Sequence, residues 1–234
     1  LSVTLGPCGI IETSSGGDGH PALLTTVGGA FRDIAQNNNS AQNFVFTEVP
    51  DTVLPVMQSG TIHYGLGIVV LTASETINLN PISNVNVARF FIEDVAGDEA
   101  VNLDGSVPTS TVDSTLLTIT LTEAQRVASL RLSATIGGND VAVLGRVKSA
   151  GFKDVAINSN AGTVGIPMTE TADTIAPTIS SVSVNLTDGA VLISCSETVN
   201  LRLTDLSKIM LSNTNLNPAV YSTTSDIQMS GPVS

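Results

Sequence analysis

Short stretches of alternating apolar and polar residues, separated by turn-forming residues, run through this chain. Alternation with a period of two is typical of strands that bury one face, and Gly, Asn, Asp and Pro mark the turns between them. One stretch has a helical pattern instead: Thr122 suits the N-cap, Glu123 suits the first turn, and residues 124–130 form about two turns. We therefore expect an all-β antiparallel sandwich with one short helix. The predicted strands cover residues 60–64, 67–73, 84–93, 115–121, 141–144 and 163–168.

The pattern repeats along the chain at a nearly constant spacing. The segment DTVLP at 51–55 recurs as DTIAP at 173–177, and SETINL at 74–79 recurs as SETVNL at 196–201, both 122 positions later. FRDIAQN at 31–37 recurs as FKDVAIN at 152–158, and LSVTL at 1–5 resembles LTITL at 117–121. Matches that keep their order and spacing indicate tandem copies of a single module.

The phase of this repeat is unusual. Residues 51–172 form one complete module, residues 1–50 match the C-terminal half of a module, and residues 173–234 match the N-terminal half. The two ends of the chain are therefore predicted to be complementary halves.

Three motifs carry a family resemblance. They are the D-T-x-x-P opening, the Ser-Glu-Thr strand end, and the late Asp-x-Ala-x-Asn at residues 154–158 and 33–37. Together they resemble bacterial-type immunoglobulin-like repeats of S-layer and other cell-surface proteins, and similar repeats occur in extracellular filament proteins of algae and protists. The resemblance implies immunoglobulin-like β-sandwich modules in a stalk, coat or fibre, without catalysis. One departure is that Gln36 and Ile157 stand where the family usually has Gly.

Composition narrows the possible functions. With a formal net charge of −12 and nine Lys and Arg among 234 residues, the chain lacks the basic stripe that follows a phosphate backbone. Its two histidines, His20 and His63, lie in different modules, and no motif assembles a zinc site or a catalytic triad. No apolar run reaches the roughly 18 residues of a membrane span. We expect no enzyme, no nucleic-acid partner and no membrane span in this chain.

Four acidic residues recur with the repeat: Asp51 with Asp173, and Glu75 with Glu197. Carboxylates at a module junction are candidate Ca²⁺ ligands, because this cation prefers hard oxygen donors. The alternative is structural: the Asp residues start turns and the Glu residues close strand edges. The lack of a dense acidic loop favours this structural alternative. Under it, no cofactor is expected.

The two cysteines lie in complementary halves. Cys195 aligns with Ala73 and Cys8 aligns with Ala124, so both are absent from the complete module. This pairing indicates a disulfide bond within a completed module, between neighbouring subunits or repeats, and hence an extracellular compartment. The alternative is two unrelated buried thiols.

Two Asn-x-Ser/Thr triplets, at Asn38 and Asn185, are candidate N-glycosylation sites if the chain follows a eukaryotic secretory route. Glycans would add polar surface to a chain in which only 13% of residues are charged.

Complementary halves predict self-assembly. Modules of this kind are generally entered at one pole and left at the other, so closure of both halves within one chain is disfavoured. A head-to-tail contact between chains would pair the exposed sheet edges of both half modules. Repetition of this contact from chain to chain produces a filament. We expect a structural subunit of an extracellular filament or surface coat, with its own copies as partners. The alternative is an adhesin stalk or surface binding module within one long continuous repeat protein.

Overall fold

A computed structural model of the protein describes residues 21–209. These residues divide into two compact units, one up to residue 174 and one from residue 175 onwards. Strands dominate the described part of both units, with one α-helix and a few 3-10 turns. The predicted all-β class is therefore confirmed.

The first unit begins, within the described residues, with a two-stranded antiparallel hairpin. Its strands are β1 (Leu23–Thr26) and β2 (Gln42–Val45). They pair in regular register from Leu23 opposite Val45 to Thr26 opposite Gln42.

The rest of the first unit is one eight-stranded mixed sheet. The strands lie in the order β6-β5-β9-β10-β3-β4-β8-β7, and every neighbouring pair is antiparallel except β3 and β10, which run parallel. The sequence pattern predicted antiparallel pairing only, because alternation identifies a strand without indicating its neighbour. The elements are β3 (Met57–His63), β4 (Ile68–Ile77), β5 (Phe90–Glu93), β6 (Ala100–Asn102), β7 (Val107–Pro108), β8 (Ser114–Thr120), α1 (Glu123–Arg131), β9 (Leu144–Val147) and β10 (Thr163–Thr171).

The sheet encloses a single hydrophobic core. Buried residues from β5 near one edge and from β8 near the other belong to the same apolar cluster, so the sheet curls around it. The rings of Phe90 and Phe152 are both buried in this core, with centroids 6.3 Å apart. Phe152 opens one of the repeated motifs, which ties that motif to the core.

Local signals predicted α1 well. Thr122 is the N-cap: its hydroxyl accepts a hydrogen bond from the Gln125 backbone N–H, and the Gln125 side chain accepts one from the Thr122 backbone N–H. The strand expected at 84–93 is shorter, because 3-10 turns at Ile82–Asn84 and Val87–Arg89 precede β5. The short strands β6 and β7 were not predicted.

The second unit begins with a hairpin of β11 (Ile179–Asn185) and β12 (Ala190–Cys195). Its register reproduces that of β3 and β4 residue for residue, 122 positions later. Both hairpins also share one irregularity, at Met57/Ser59 and at Ile179/Ser181. The sequence repeat is thus a structural repeat over this hairpin.

Candidate functional site

Three carboxylates of the first unit converge. Asp51, Glu75 and Asp154 each offer one oxygen, and these oxygens lie within 4.8 Å of one another. Asp51 precedes β3, Glu75 lies near the end of β4, and Asp154 follows β9. Three carboxylates at such distances can share a hard cation or a proton.

Backbone pairing and one asparagine bring these acids together. Asp154 forms an isolated antiparallel bridge with Ile77, two residues after Glu75. The side-chain amide of Asn158 donates to the Asp51 carbonyl at 3.1 Å and to Oδ2 of Asp154 at 2.9 Å. The Asn158 backbone N–H also donates to Oδ1 of Asp154 at 2.7 Å. Asn158 therefore fixes both the segment that carries Asp51 and the Asp154 carboxylate.

The cluster disfavours negative charge on Glu75. Burial, followed by the charges of Asp154 and Asp51, raises the pKa of the Glu75 carboxyl above its ordinary value. Its Oε1 atom is buried and has no hydrogen-bond partner. A buried acceptor without a donor is costly unless a ligand or proton satisfies it.

The sequence pointed to part of this cluster. Asp51 and Glu75 were candidate cation ligands and do converge, whereas Asp154 was recognised only as part of a repeated motif. Of the other two candidates, Asp173 forms an ion pair with Arg126 at 2.7 Å. Glu197 lies after the end of β12, and its exposure is intermediate. The motif Asp-x-Ala-x-Asn recurs along the chain together with the two acids. This recurrence was the signal that could have identified Asp154 as a third candidate ligand.

The turn that holds Asp154 is duplicated around Asp33. The Asn37 backbone N–H donates to Oδ1 of Asp33 at 2.8 Å and its side-chain amide donates to Oδ2 at 2.9 Å, as Asn158 does to Asp154. These hydrogen bonds lower the pKa of the Asp33 carboxyl. Gln36 and Ile157 occupy equivalent positions in the two turns, and both adopt a φ of 70°. The left-handed turn geometry is therefore kept without glycine.

Phe31 and Phe152 are 121 positions apart, whereas residues further along the same segments match at an offset of 122, and a bulge explains this change. The β9–β10 pair has a register irregularity between Thr163 and Ile166, whereas β1 and β2 pair without one. Gly165, with a φ of +67°, lies at this bulge. Beyond it the offset is 122, so Glu170 corresponds to Glu48. Oε1 of Glu170 accepts a hydrogen bond from the backbone N–H of Val143, and Oε1 of Glu48 accepts one from that of Ala22, both at 2.7 Å.

The two hairpins outside the eight-stranded sheet expose their apolar faces. The residues concerned correspond, through the repeat, to buried core positions of the complete module. The exposed fractions are 53% for Phe31 against 1% for Phe152, 53% for Phe44 against 2% for Ile166, 63% for Ile179 against 2% for Met57, and 54% for Val184 against 0% for Ile62.

The remaining candidate residues are not members of this cluster. Cys195, at the end of β12, is half-buried with a free thiol, while Cys8 lies outside the described residues. Asn38 and Asn185 are both exposed. The Asn185 amide donates to Oδ2 of Asp188 at 2.8 Å. Both glycosylation sites, and the disulfide bond, stay predictions.

This chain matches no family model, no curated protein and no solved structure. Over residues 21–209, no helix is long and apolar enough to cross a membrane. Function is therefore inferred from the geometry of these residues and from the repeat.

Proposed function

We propose that this protein is the structural subunit of an extracellular filament or surface coat, built from immunoglobulin-like β-sandwich modules. Neighbouring subunits join head to tail: residues 173–234 of one chain and residues 1–50 of the next complete one module. The assembly needs no enzyme activity and no other partner. Backbone pairing between the halves supplies affinity, and the alternating side chains fix the register.

One observation carries the proposal: the apolar faces of the half modules are exposed where the complete module buries them. Burial of one large apolar side chain contributes about 1.5–3 kcal/mol. Phe31, Phe44, Ile179 and Val184 are each more than half exposed in the single chain. Completing the module between chains would bury all four, as their counterparts are buried in the complete module.

The complete module also indicates how the halves would pair. Its β10 strand runs parallel to β3, with Met168 opposite Gly60 and Thr171 opposite His63. Through the repeat, the segment from Phe46 to Val49 of one chain takes the place of β10. It would lie beside β11 of the neighbour, with Phe46 opposite Val182.

The proposal is tested by measuring mass in solution as a function of concentration. The full chain is expected to form particles of many subunits, whereas Val184→Asp is expected to stay near the 24.0 kDa of one chain. A buried unpaired carboxylate would oppose closure of the split core. The matched control is Val164→Asp, since Val164 is 73% exposed in β10 of the complete module. Multi-angle light scattering and negative-stain electron microscopy provide the measurement.

A wild-type chain that stays monodisperse at one-subunit mass over a wide concentration range would overturn the proposal. So would assembly of Val184→Asp at the wild-type critical concentration. Loss of assembly in the Val164→Asp control would show that any added charge disrupts the particle, and would equally count against a specific joint.

A further inference from the structure

Two buried glycines of the complete module make room for one side chain. Gly60 in β3 and Gly145 in β9 lie on the two strands that flank β10, which carries Met168. A Cβ atom at Gly60 would lie 2.5 Å from Sδ of Met168, and one at Gly145 would lie 3.3 Å from the same sulfur. The Met168 side chain therefore fills the space over both glycines.

The half modules carry larger residues at all three positions. The counterparts are Val182 for Gly60, Leu24 for Gly145 and Phe46 for Met168. These three larger side chains are between 45% and 57% exposed, whereas both glycines are buried. The half modules thus differ from the complete module in the shape of this contact as well as in its exposure.

Bulk is removed from nearby positions on the same faces. Tyr64 and Val143 are fully buried in the complete module, and their counterparts, Leu186 and Ala22, are smaller. A core tolerates redistribution of volume when the total is kept, whereas added volume at one point forces neighbouring side chains out of place. The two half modules are therefore matched to each other and mismatched to the halves of the complete module.

Each chain also contains a wrong partner for its C-terminal half. The linker from Thr171, which ends β10, to Ile179, which begins β11, has eight residue steps, and a linker of this length reaches about 26 Å. If β10 paired with β11 in the register of the complete module, with Met168 opposite Val182, these two linker ends would be offset by about 20 Å along the strands. The linker is long enough for this closure, which would break the complete module and withhold the C-terminal half from a neighbour.

We propose that Val182, Leu24 and Phe46 select the partner: the C-terminal half module accepts the Phe46 segment of another chain and excludes the chain's own β10. This inference rests on the proposed function and deepens it, because it identifies the residues that direct the two halves to each other. Met168 cannot lie over Val182 as it lies over Gly60, since the added side chain takes the position of its sulfur. Overpacking of this kind disfavours the wrong pairing by roughly 10- to 100-fold.

Exposed positions on these strands can report which pairing forms. Thr169 of β10 lies opposite Thr61 of β3 in the complete module, and their counterparts in the half modules are Thr47 and Ser183. Residues directly opposite on neighbouring strands are close enough for a disulfide bond. A cysteine at position 183 can therefore bond to position 47 of a neighbour if the proposed joint forms, or to position 169 if β10 closes onto β11.

The two pairings are compared in chains that carry Cys8→Ser and Cys195→Ser. After mild oxidation, Thr47→Cys with Ser183→Cys is expected to form a bond between chains. Thr169→Cys with Ser183→Cys is expected to form about tenfold less bond or even lower amounts. Peptide mapping by mass spectrometry measures both yields, and non-reducing electrophoresis shows whether each bond lies within or between chains.

A substitution at the selecting position tests the cause. Val182→Gly restores the space for Met168 and is expected to raise the yield of the bond between positions 169 and 183 about tenfold. Val184→Gly is the matched control, because it removes the same side chain from the same face of β11, at a position where the complete module has Ile62. The control should leave this yield unchanged.

Every outcome bears on the selection. A 169–183 bond as abundant as the 47–183 bond before Val182 is replaced would overturn it, and so would an equal rise in Val184→Gly or no rise in Val182→Gly. In those cases a persisting 47–183 bond would leave the proposed filament standing. Absence of the 47–183 bond from every chain would overturn the proposed joint and the selection together.

Discussion

At the scale of single residues, the backbone at Ile157 is the least expected feature. A β-branched residue at a φ of 70° is strained, because the left-handed region places Cβ close to the carbonyl oxygen. The turn keeps this geometry since it must present Asp154 to the cluster and Asn158 to both Asp154 and Asp51. The strain is thus imposed by the interactions on either side of the residue.

Ile157→Gly is expected to stabilise the complete module. Relief of the left-handed strain gains about 1–2 kcal/mol, and the greater freedom of glycine in the unfolded chain offsets about 0.5–1 kcal/mol of it. Urea unfolding of the Val184→Asp chain, with and without Ile157→Gly, measures the difference. Ala156→Gly is the control, because its φ is not positive and it should only lose stability. Destabilisation by Ile157→Gly would contradict the strain.

The charge of Glu75 is expected to lower the stability of the folded chain. Its pKa is raised in the folded state, so the folded chain holds this proton more tightly than the unfolded chain. The stability is present at low pH, below the ordinary pKa of 4.5, and is lost as the pH rises through the raised pKa. Wild type should therefore lose stability relative to Glu75→Gln over this interval, and urea unfolding of the two chains at a series of pH values measures the difference. Parallel pH profiles for the two chains would exclude the effect.

At the scale of elements, side-chain hydrogen bonds fix the first turn of α1. The Thr122 hydroxyl and the Gln125 side chain form a capping box, and the Gln125 amide also donates to the carbonyls of Asn102 and Asp104 at 3.0 and 2.7 Å. The helix therefore begins at a fixed residue and is attached to the connection between β6 and β7.

Thr122→Ala is expected to lower the free energy of unfolding by about 1 kcal/mol, because the Gln125 N–H loses its acceptor. Thr122→Ser keeps the hydroxyl and should stay close to wild type. Thr111→Ala, at an exposed loop position, should change stability by less than about 0.5 kcal/mol. Chemical denaturation followed by circular dichroism measures all three, and an equal loss from Thr122→Ser would show that the cap is not the cause.

Local features of the fold could be predicted from the sequence, whereas long-range pairings could not. The helix and its cap follow from residues within one turn of each other, and the repeat relates the β11–β12 hairpin to the β3–β4 hairpin. The parallel β3–β10 pair joins distant segments, and alternation contains no information about that partner. For the same reason Asp154 was not recognised as a third carboxylate beside Asp51 and Glu75, because it approaches them only through its bridge with Ile77.

At the scale of the whole molecule, the split repeat makes a specific prediction about the cysteines. Cys195 is the last residue of β12 in the β11–β12 hairpin, and Cys8 belongs to the half that would close over that hairpin. Under oxidising conditions the assembled chains should be linked through Cys8 and Cys195.

Non-reducing electrophoresis of assembled wild type is expected to show a ladder of covalent multimers that collapses on reduction. Cys195→Ser should abolish the ladder while leaving non-covalent assembly in place, and Cys8→Ser should do the same. A ladder that persists in either variant would contradict this pairing. When applied to material from the native source, a single very large band unaffected by reductant would favour the continuous repeat polypeptide instead of separate subunits.

The parallel neighbours β3 and β10 have a mechanical consequence. The complete module is entered through β3 and left through β10, so a pull on the chain at Asp51 and Asp173 drags these strands in opposite directions along their own axes. Their ladder runs from Met168 opposite Gly60 to Thr171 opposite His63, and under this load its hydrogen bonds share the force in shear instead of opening one after another. Rupture would then require the ladder to break at once, so each module should resist extension until the load is high.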